Sequence, residues 1–282
     1  MKLYSAQIAG RPLVGVAAQN GIIDITALGF PAFMNEIIEG GEELLSQIQT
    51  AITQKAPPAL SEESIEFLPV TAPKKIICMG LNYEAHAAEG GSAAPSFPIY
   101  FSKFHDTLSA HNQSVTLPPW LKKYDYEAEL VIIIGKYAQN ITLEEARECI
   151  FGYTCGNDLS ARDAQFLSSQ WLSGKSLPGF APTGPCIVTR DSFDPYESMG
   201  IYCEVNGETV QSAVTTDMIF PCYEAVSTAS RFFPLSPGDM IFTGTPEGVI
   251  SGKPENMQVW LKSGDVVSVT IEGIGTLTTP LV

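Results

Sequence analysis

Several things are scarce in these 282 residues. No apolar run approaches the roughly 20 residues needed to cross a bilayer. Lysine and arginine number 16 against 31 aspartates and glutamates, a net charge of −15. Nucleic-acid binding needs basic surface to neutralise phosphates, so that class is excluded, and no membrane partner is expected. The six cysteines (Cys78, Cys149, Cys155, Cys186, Cys203, Cys222) are scattered without a C-x-x-C pair. That spacing argues against a thiolate zinc site and for reduced, buried thiols rather than disulfides. The opening "MKLYSAQIAGRPLVGVAAQNG" lacks the apolar core of a secretory signal and already alternates like a strand. A soluble, cytoplasmic protein is expected. Histidine occurs only as His86, His105 and His111, without an H-E-x-x-H pattern, which leaves out the common zinc hydrolases.

What is present is apolar and turn-rich: 45% hydrophobic residues, 24 glycines and 20 prolines, as in a β-heavy globular chain. Residues 1–70 read as a small N-terminal domain. It has hairpin strands through "KLYSAQIAG" and "RPLVGVAAQNGIIDIT", then a helical pattern interrupted at Gly40-Gly41. A Pro-rich stretch leads into a main domain, 71–282. There "KIICMGLNY" reads as a strand with a helix start at Asn82, and Thr142 with Glu145 forms a capping-box pattern. "SPGDMIFTG" and "KSGDVVSVT" each place a Gly-Asp turn before a strand. The fold class is α+β, β-rich, with the main domain built sheet on sheet.

Three groups of residues can carry chemistry. In "YDYEAELVIIIGK", Leu130 to Ile134 predict a fully buried strand, and residues two apart on a strand share a face. Glu127 and Glu129 therefore project side by side, repel, and call for a cation; an exposed, charge-blunted edge is the plain alternative. "GYTCGNDLSARDAQ" supplies Asp158, Arg162, Asp163 and Gln165. Three carboxylate ligands from two segments suit Mg²⁺ or Mn²⁺. In "LNYEAHAAEGG", His86 and Glu89 are three apart on a predicted helix, an oriented general base or an ordinary surface pair. Lys175, in "QWLSGKSLPGF", is either a solvated loop tip or the partner of an oxyanion. Thr245, in "FTGTPEGV", can hydrogen-bond a carboxylate. Trp171, Phe180 and the surroundings of His105 are candidate pocket walls, while His105 and His111 read as satisfied loop histidines.

Taken in order, "CMGLNYEAHAAE", "YDYEAELVIIIGK", "GYTCGNDLSARDAQ", "SQWLSGKSLPGFAPTGP", "PGDMIFTGTPEGV" and "LKSGDVVSVTIEGIGTL" resemble the fumarylacetoacetate hydrolase family over most of the chain from Lys74 onward. The short form resembles the branch hydrolysing acylpyruvates and 2,4-diketo-3-deoxy sugar acids. Leu81 departs from an arginine of the mitochondrial acylpyruvase group. The resemblance implies a mixed β-sandwich roll, a homodimer and one divalent cation per site. It implies Glu127, Glu129 and Asp158 as metal ligands, and His86 with Glu89 as the water-activating pair. Lys175 then assists the enolate, and Arg162, Gln165 and Thr245 contact the substrate carboxylate. The expected reaction is hydrolysis of a 2,4-diketo acid to pyruvate and a carboxylic acid. Oxaloacetate decarboxylation and isomerisation or tautomerisation of 2-hydroxy-dienoates are alternatives on the same metal-enolate chemistry. A non-catalytic metal- or keto-acid-binding protein is a further alternative.

Overall fold

A computed structural model describes all of residues 1–282. The chain opens with the meander β1 (Lys2–Ile8), β2 (Arg11–Ala18) and β3 (Gly21–Asp24), followed by helix α1 (Met34–Lys55). The interruption expected at Gly40-Gly41 is present, because Gly41 leaves helical geometry with φ 59° and ψ −153°. Strand β4 (Glu66–Phe67) precedes the expected boundary near residue 70 and β5 (Ile76–Gly80) follows it. Next come α2 (Glu84–Glu89), β6 (Ile99–Lys103), β7 (Leu108–Ala110), β8 (Tyr124–Asp125) and β9 (Ala128–Ile134). Helix α3 (Leu143–Cys149) begins at the predicted capping box: Thr142 Oγ1 accepts from the Glu145 amide and the Glu145 carboxylate from that of Thr142. The central segment holds β10 (Ile150–Asn157), β11 (Ser160–Ala161), α4 (Arg162–Gln165), α5 (Leu172–Lys175) and β12 (Ala181–Thr189). It is followed by β13 (Gly200–Val205), β14 (Glu208–Val214), α6 (Cys222–Ser230), β15 (Met240–Phe242), β16 (Val266–Ile271) and β17 (Gly275–Pro280).

One large mixed sheet runs β3-β2-β1-β12-β10-β9-β15-β5-β6, and a four-stranded sheet runs β14-β13-β16-β17. The β1–β12 pairing is antiparallel and carries the sheet without a break from the N-terminal meander into the main body. Strand β9 explains its own composition. Leu130, Ile132 and Ile134 pack into the core between the sheets, while Val131 and Ile133 pack with Ile37, Ile38 and Ile48 of α1 on the other face. A strand covered on both faces has no polar positions left, hence the unbroken run. All six cysteines are unpaired and buried, as expected.

The polar residues of β9 are confined to its entrance, and the ladder decides what meets them. Antiparallel pairing sets Gly156 opposite Glu129 and Asn157 opposite Ala128, and the Asp158 amide donates to the Glu127 carbonyl at 3.0 Å. Asp158 thus arrives beside the glutamates from a neighbouring strand end. Asn82 does not start a helix: α2 begins at Glu84. Its side chain instead ties segments together, donating to the carbonyls of Thr243 (2.7 Å) and Phe220 (3.1 Å) and accepting from the Phe220 amide (2.8 Å). A buried amide that meets three backbone groups is fixed more firmly by them than by a helix cap.

Candidate active site

Glu127, Glu129 and Asp158 are buried, and one carboxylate oxygen of each lies within 4.8 Å of the others. Their surroundings differ. Glu127 accepts from Lys175 Nζ at 2.7 Å and lies 2.7 Å from Arg162 Nη2. Burial pushes its carboxyl up, but Lys175, Arg162 and His86 outweigh burial and hold it below the usual carboxylate range. Glu129 receives only the Gly244 amide, at 2.7 Å. Burial, followed by the charges of Asp158 and Glu127, pushes its carboxyl well above the usual range. One member of the triad is thus short of positive charge. Hard carboxylate oxygens converging on one buried point fit Mg²⁺ or Mn²⁺, so the residues present suit the implied metal.

Local backbone requirements place these groups. Gly244 has φ 94°, and a Cβ there would lie 2.8 Å from that of Asn82. Only glycine turns the chain there while aiming its N–H at Glu129. A Cβ on Gly174 would fall 2.4 Å from the Gln165 nitrogen and 2.5 Å from the Ala161 oxygen. The bare glycine lets α5 lie against α4, which brings Lys175 to the carboxylates. Lys175 bridges Glu127 and Asp158, at 2.7 Å to each. Burial lowers its pKa, but Asp158 and Glu127 more than reverse this, so it stays an ammonium.

A cavity of about 270 Å³ opens above this cluster, lined among others by His86, Glu127, Arg162, Gln165, Lys175 and Thr245. The geometry therefore gathers the sequence candidates around one space. His86 sits on its wall, with Nδ1 3.5 Å from Glu89 Oε2 and no hydrogen-bond partner. Both Glu89 oxygens lie 3.1 Å from the Gly248 amide. A Cβ on Gly252 would stand 2.2 Å from the Glu89 carboxyl carbon, so the bare glycine leaves that carboxylate its place. Thr245 Oγ1 accepts from Gln211 Nε2 at 2.9 Å, which leaves its proton to donate. Arg162 Nε is committed to Asp125 at 2.8 Å and Nη1 to Gln165 Oε1 at 2.9 Å. Its Nη2 contact with Glu127 lacks hydrogen-bond alignment and keeps donor capacity.

Not every expectation holds. Phe180 lies in the core against Tyr124, not on the cavity. His111 accepts from the Thr278 amide at 3.1 Å and packs edge-on against Phe67, the satisfied histidine expected. Two buried groups were missed. Lys103 pairs with Asp158 Oδ1 and donates to the Leu159 carbonyl at 3.2 Å. Asp125 holds Arg162 and accepts from the amides of Ile250 (2.8 Å) and Ser251 (2.9 Å). Asp125 extends the alternation D-x-E-x-E, a signal the sequence did carry. Lys103 gives none, since it closes an ordinary strand far from the carboxylates in the chain.

A sequence model of the fumarylacetoacetate hydrolase C-terminal domain matches residues 75–282. The chain belongs to the fumarylacetoacetate hydrolase family. The mitochondrial oxaloacetate tautomerase fahd2 of Xenopus laevis is 39% identical over 279 residues, 96% of this chain and 86% of that protein. Among solved structures, the fumarylacetoacetate hydrolase of Exiguobacterium antarcticum is 35% identical with a TM-score of 0.89, covering 100% of this chain and 99% of its own. The maleylpyruvate hydrolase of Sphingobium sp. SYK-6, solved with manganese(II) and pyruvate, superposes with a TM-score of 0.82 at 27% identity, covering 100% and 99%. The α+β roll expected for the family is the observed fold. The family spans tautomerases, isomerases and hydrolases, and a site for a divalent metal follows from the acidic triad together with the manganese-bound relative.

Two expectations change. Several of the similar proteins are oxaloacetate tautomerases, which favours the expected alternatives of oxaloacetate chemistry and tautomerisation over hydrolysis of a 2,4-diketo acid. The cytoplasmic expectation is overturned, because relatives of 38–39% identity are mitochondrial proteins. The physical reason is simple. An apolar-core pattern is the mark of secretory signals only, whereas mitochondrial targeting segments are amphipathic and basic, so that pattern does not bear on the compartment of these relatives.

Proposed function

We propose that the protein is a divalent-metal-dependent oxaloacetate tautomerase, interconverting the keto and enol forms of a 2-oxo dicarboxylate. One observation carries this reading: a buried three-carboxylate cluster, a histidine and a lysine meet at one small cavity in a chain 39% identical to an oxaloacetate tautomerase. Glu127, Glu129 and Asp158 would hold the cation, which supplies positive charge to bind the 2-oxo acid and acidify the protons on carbon 3.

The remaining steps fall to the chain's own residues. Arg162, Gln165 and Thr245 present donors for the substrate carboxylate. His86 takes a proton from carbon 3 through Nε2, because Nδ1 faces Glu89. The 3.5 Å separation within the pair is long, as catalytic contacts often are before substrate tightens them. Lys175, held as an ammonium, hydrogen-bonds the oxygen that becomes negative as the enolate forms. The proton taken by His86 Nε2 is then delivered to that oxygen, directly or through water, which completes the enol and restores the histidine; the same groups run the reverse reaction.

The test is stopped-flow ultraviolet decay of enol-oxaloacetate with Mg²⁺, and again with a chelator. Metal-dependent acceleration is expected; equal rates with and without protein would sink the proposal. A second reading keeps acylpyruvate hydrolysis, favoured by the likeness to a maleylpyruvate hydrolase and by the same His86–Glu89 pair, which can activate water. Proton NMR separates the two, since hydrolysis releases pyruvate plus an acid and tautomerisation releases neither.

A further inference from the structure

Resting on that reading, we infer that Trp171 is the wall that decides which 2-oxo acids fit, and that the bare α-carbon of Gly80 fixes its position. A Cβ built on Gly80 would fall 2.5 Å and 2.9 Å from two carbons of the Trp171 six-membered ring. The indole therefore occupies the space a side chain at residue 80 would fill. It is held from two further directions. Its ring meets Phe101 edge-on, with centroids 5.4 Å apart and planes at 73°. Its carbonyl accepts from the amides of Gly174 (3.0 Å) and Lys175 (3.2 Å), at the head of the short helix that carries the lysine.

Gly80, Phe101 and Trp171 all line the cavity above the carboxylates. The Lys175 ammonium lies 5.2 Å from the centroid of the same Phe101 ring, so one aromatic face supports both the cation and the wall. The indole bounds one side of this cavity of about 270 Å³, so the room left for a group beyond carbon 3 is set by where the ring stands. Apolar walls discriminate modestly by size, by about tenfold or more for a misfit of this kind. A Cβ at residue 80 would clash only with the Trp171 ring, meeting Ile99 at an ordinary 3.7 Å, which gives the inference a distinctive signature.

The experiment is calorimetric titration of the Mg²⁺-loaded protein with oxalate and with phenylpyruvate, for the wild type, Trp171→Ala, Gly80→Ala and the double variant. Trp171→Ala should strengthen phenylpyruvate binding about tenfold and leave oxalate nearly unchanged. Gly80→Ala should weaken both ligands by driving the ring into the cavity, and this loss should vanish in the Trp171→Ala background. Should Trp171→Ala melt early, Trp171→Phe serves, with a smaller shift in the same direction. Unchanged phenylpyruvate binding in a folded Trp171 variant overturns the inference, and so does a Gly80→Ala loss equal in both backgrounds. Wild-type protein that shows the binding pattern but no oxaloacetate tautomerisation removes the proposed function and leaves the wall. Tautomerisation without the pattern does the reverse.

Discussion

The floor and the rim of the cavity are built on different physical terms. On the floor, Glu127, Glu129, Asp158 and Asp125 meet Lys103, Lys175 and Arg162, all buried on strand ends and short helices locked to the sheet. On the rim, His86 and Glu89 sit on a six-residue helix, with side chains 14% and 19% exposed and a loose 3.5 Å contact. Burying paired charges costs desolvation that only close geometry returns, so the floor tolerates no slack. The rim is held by less: on its helix only Ala87 is buried, and Glu89 is tied by the Gly248 amide. On the proposed reading, the molecule separates rigid electrostatics on the floor from proton transfer on the rim.

That separation can be broken from either side. The largest effect is expected from Asp158→Ala, which leaves two buried lysines without their shared partner and should cost about 3–5 kcal/mol in urea unfolding. An unfolding midpoint close to wild type would mean that the floor is not an interdependent charge cluster. Next, His86→Ala should lower turnover about 10²–10⁴-fold while Mg²⁺ affinity, read by calorimetry, stays in place. A matching loss of metal affinity would show that floor and rim are one unit. Glu129→Gln should weaken Mg²⁺ by about 100-fold or more while the metal-free protein keeps its fold, because the Gly244 amide still finds an oxygen.

A subtler test uses pH. The raised Glu129 carboxyl favours the protonated folded state. Its contribution to metal-free stability is therefore full at and below the ordinary carboxylate range and is lost as pH climbs through the raised value. Bound metal needs the ionised form, so the gap in melting temperature between Mg²⁺-loaded and chelator-treated protein should widen with pH. A gap independent of pH would contradict the assignment of Glu129 as the charge-deficient member. The smallest effect is expected from Gly252→Ala, which crowds the Glu89 carboxylate and should reduce turnover with little change in melting temperature. Full activity would mean that Glu89 does not orient His86.

How far the sequence could be read follows the same division. Alternation along one strand placed Glu127 and Glu129 together, and the dry run behind them announced a strand buried on both faces. Asp158 was legible only through its motif; its arrival depends on the β9–β10 register, which no local pattern encodes. Lys103 stayed invisible because it reaches Asp158 from β6, several strands away in the sheet. Asn82 misled, since an Asn before a helix has the signature of a cap and here answers to Phe220 and Thr243, 138 and 161 residues on.

The bonds from Asp125 to the amides of Ile250 and Ser251 have a consequence in time. They join positions 125 and 126 residues apart in the chain. Closing so long a loop is entropically slow, and such contacts form after local ones. During synthesis Arg162 would emerge nearly ninety residues before the turn that steadies its partner. The charge cluster is therefore complete only when the segment around Ser251 has joined it, so its order depends on a contact that no local element can supply.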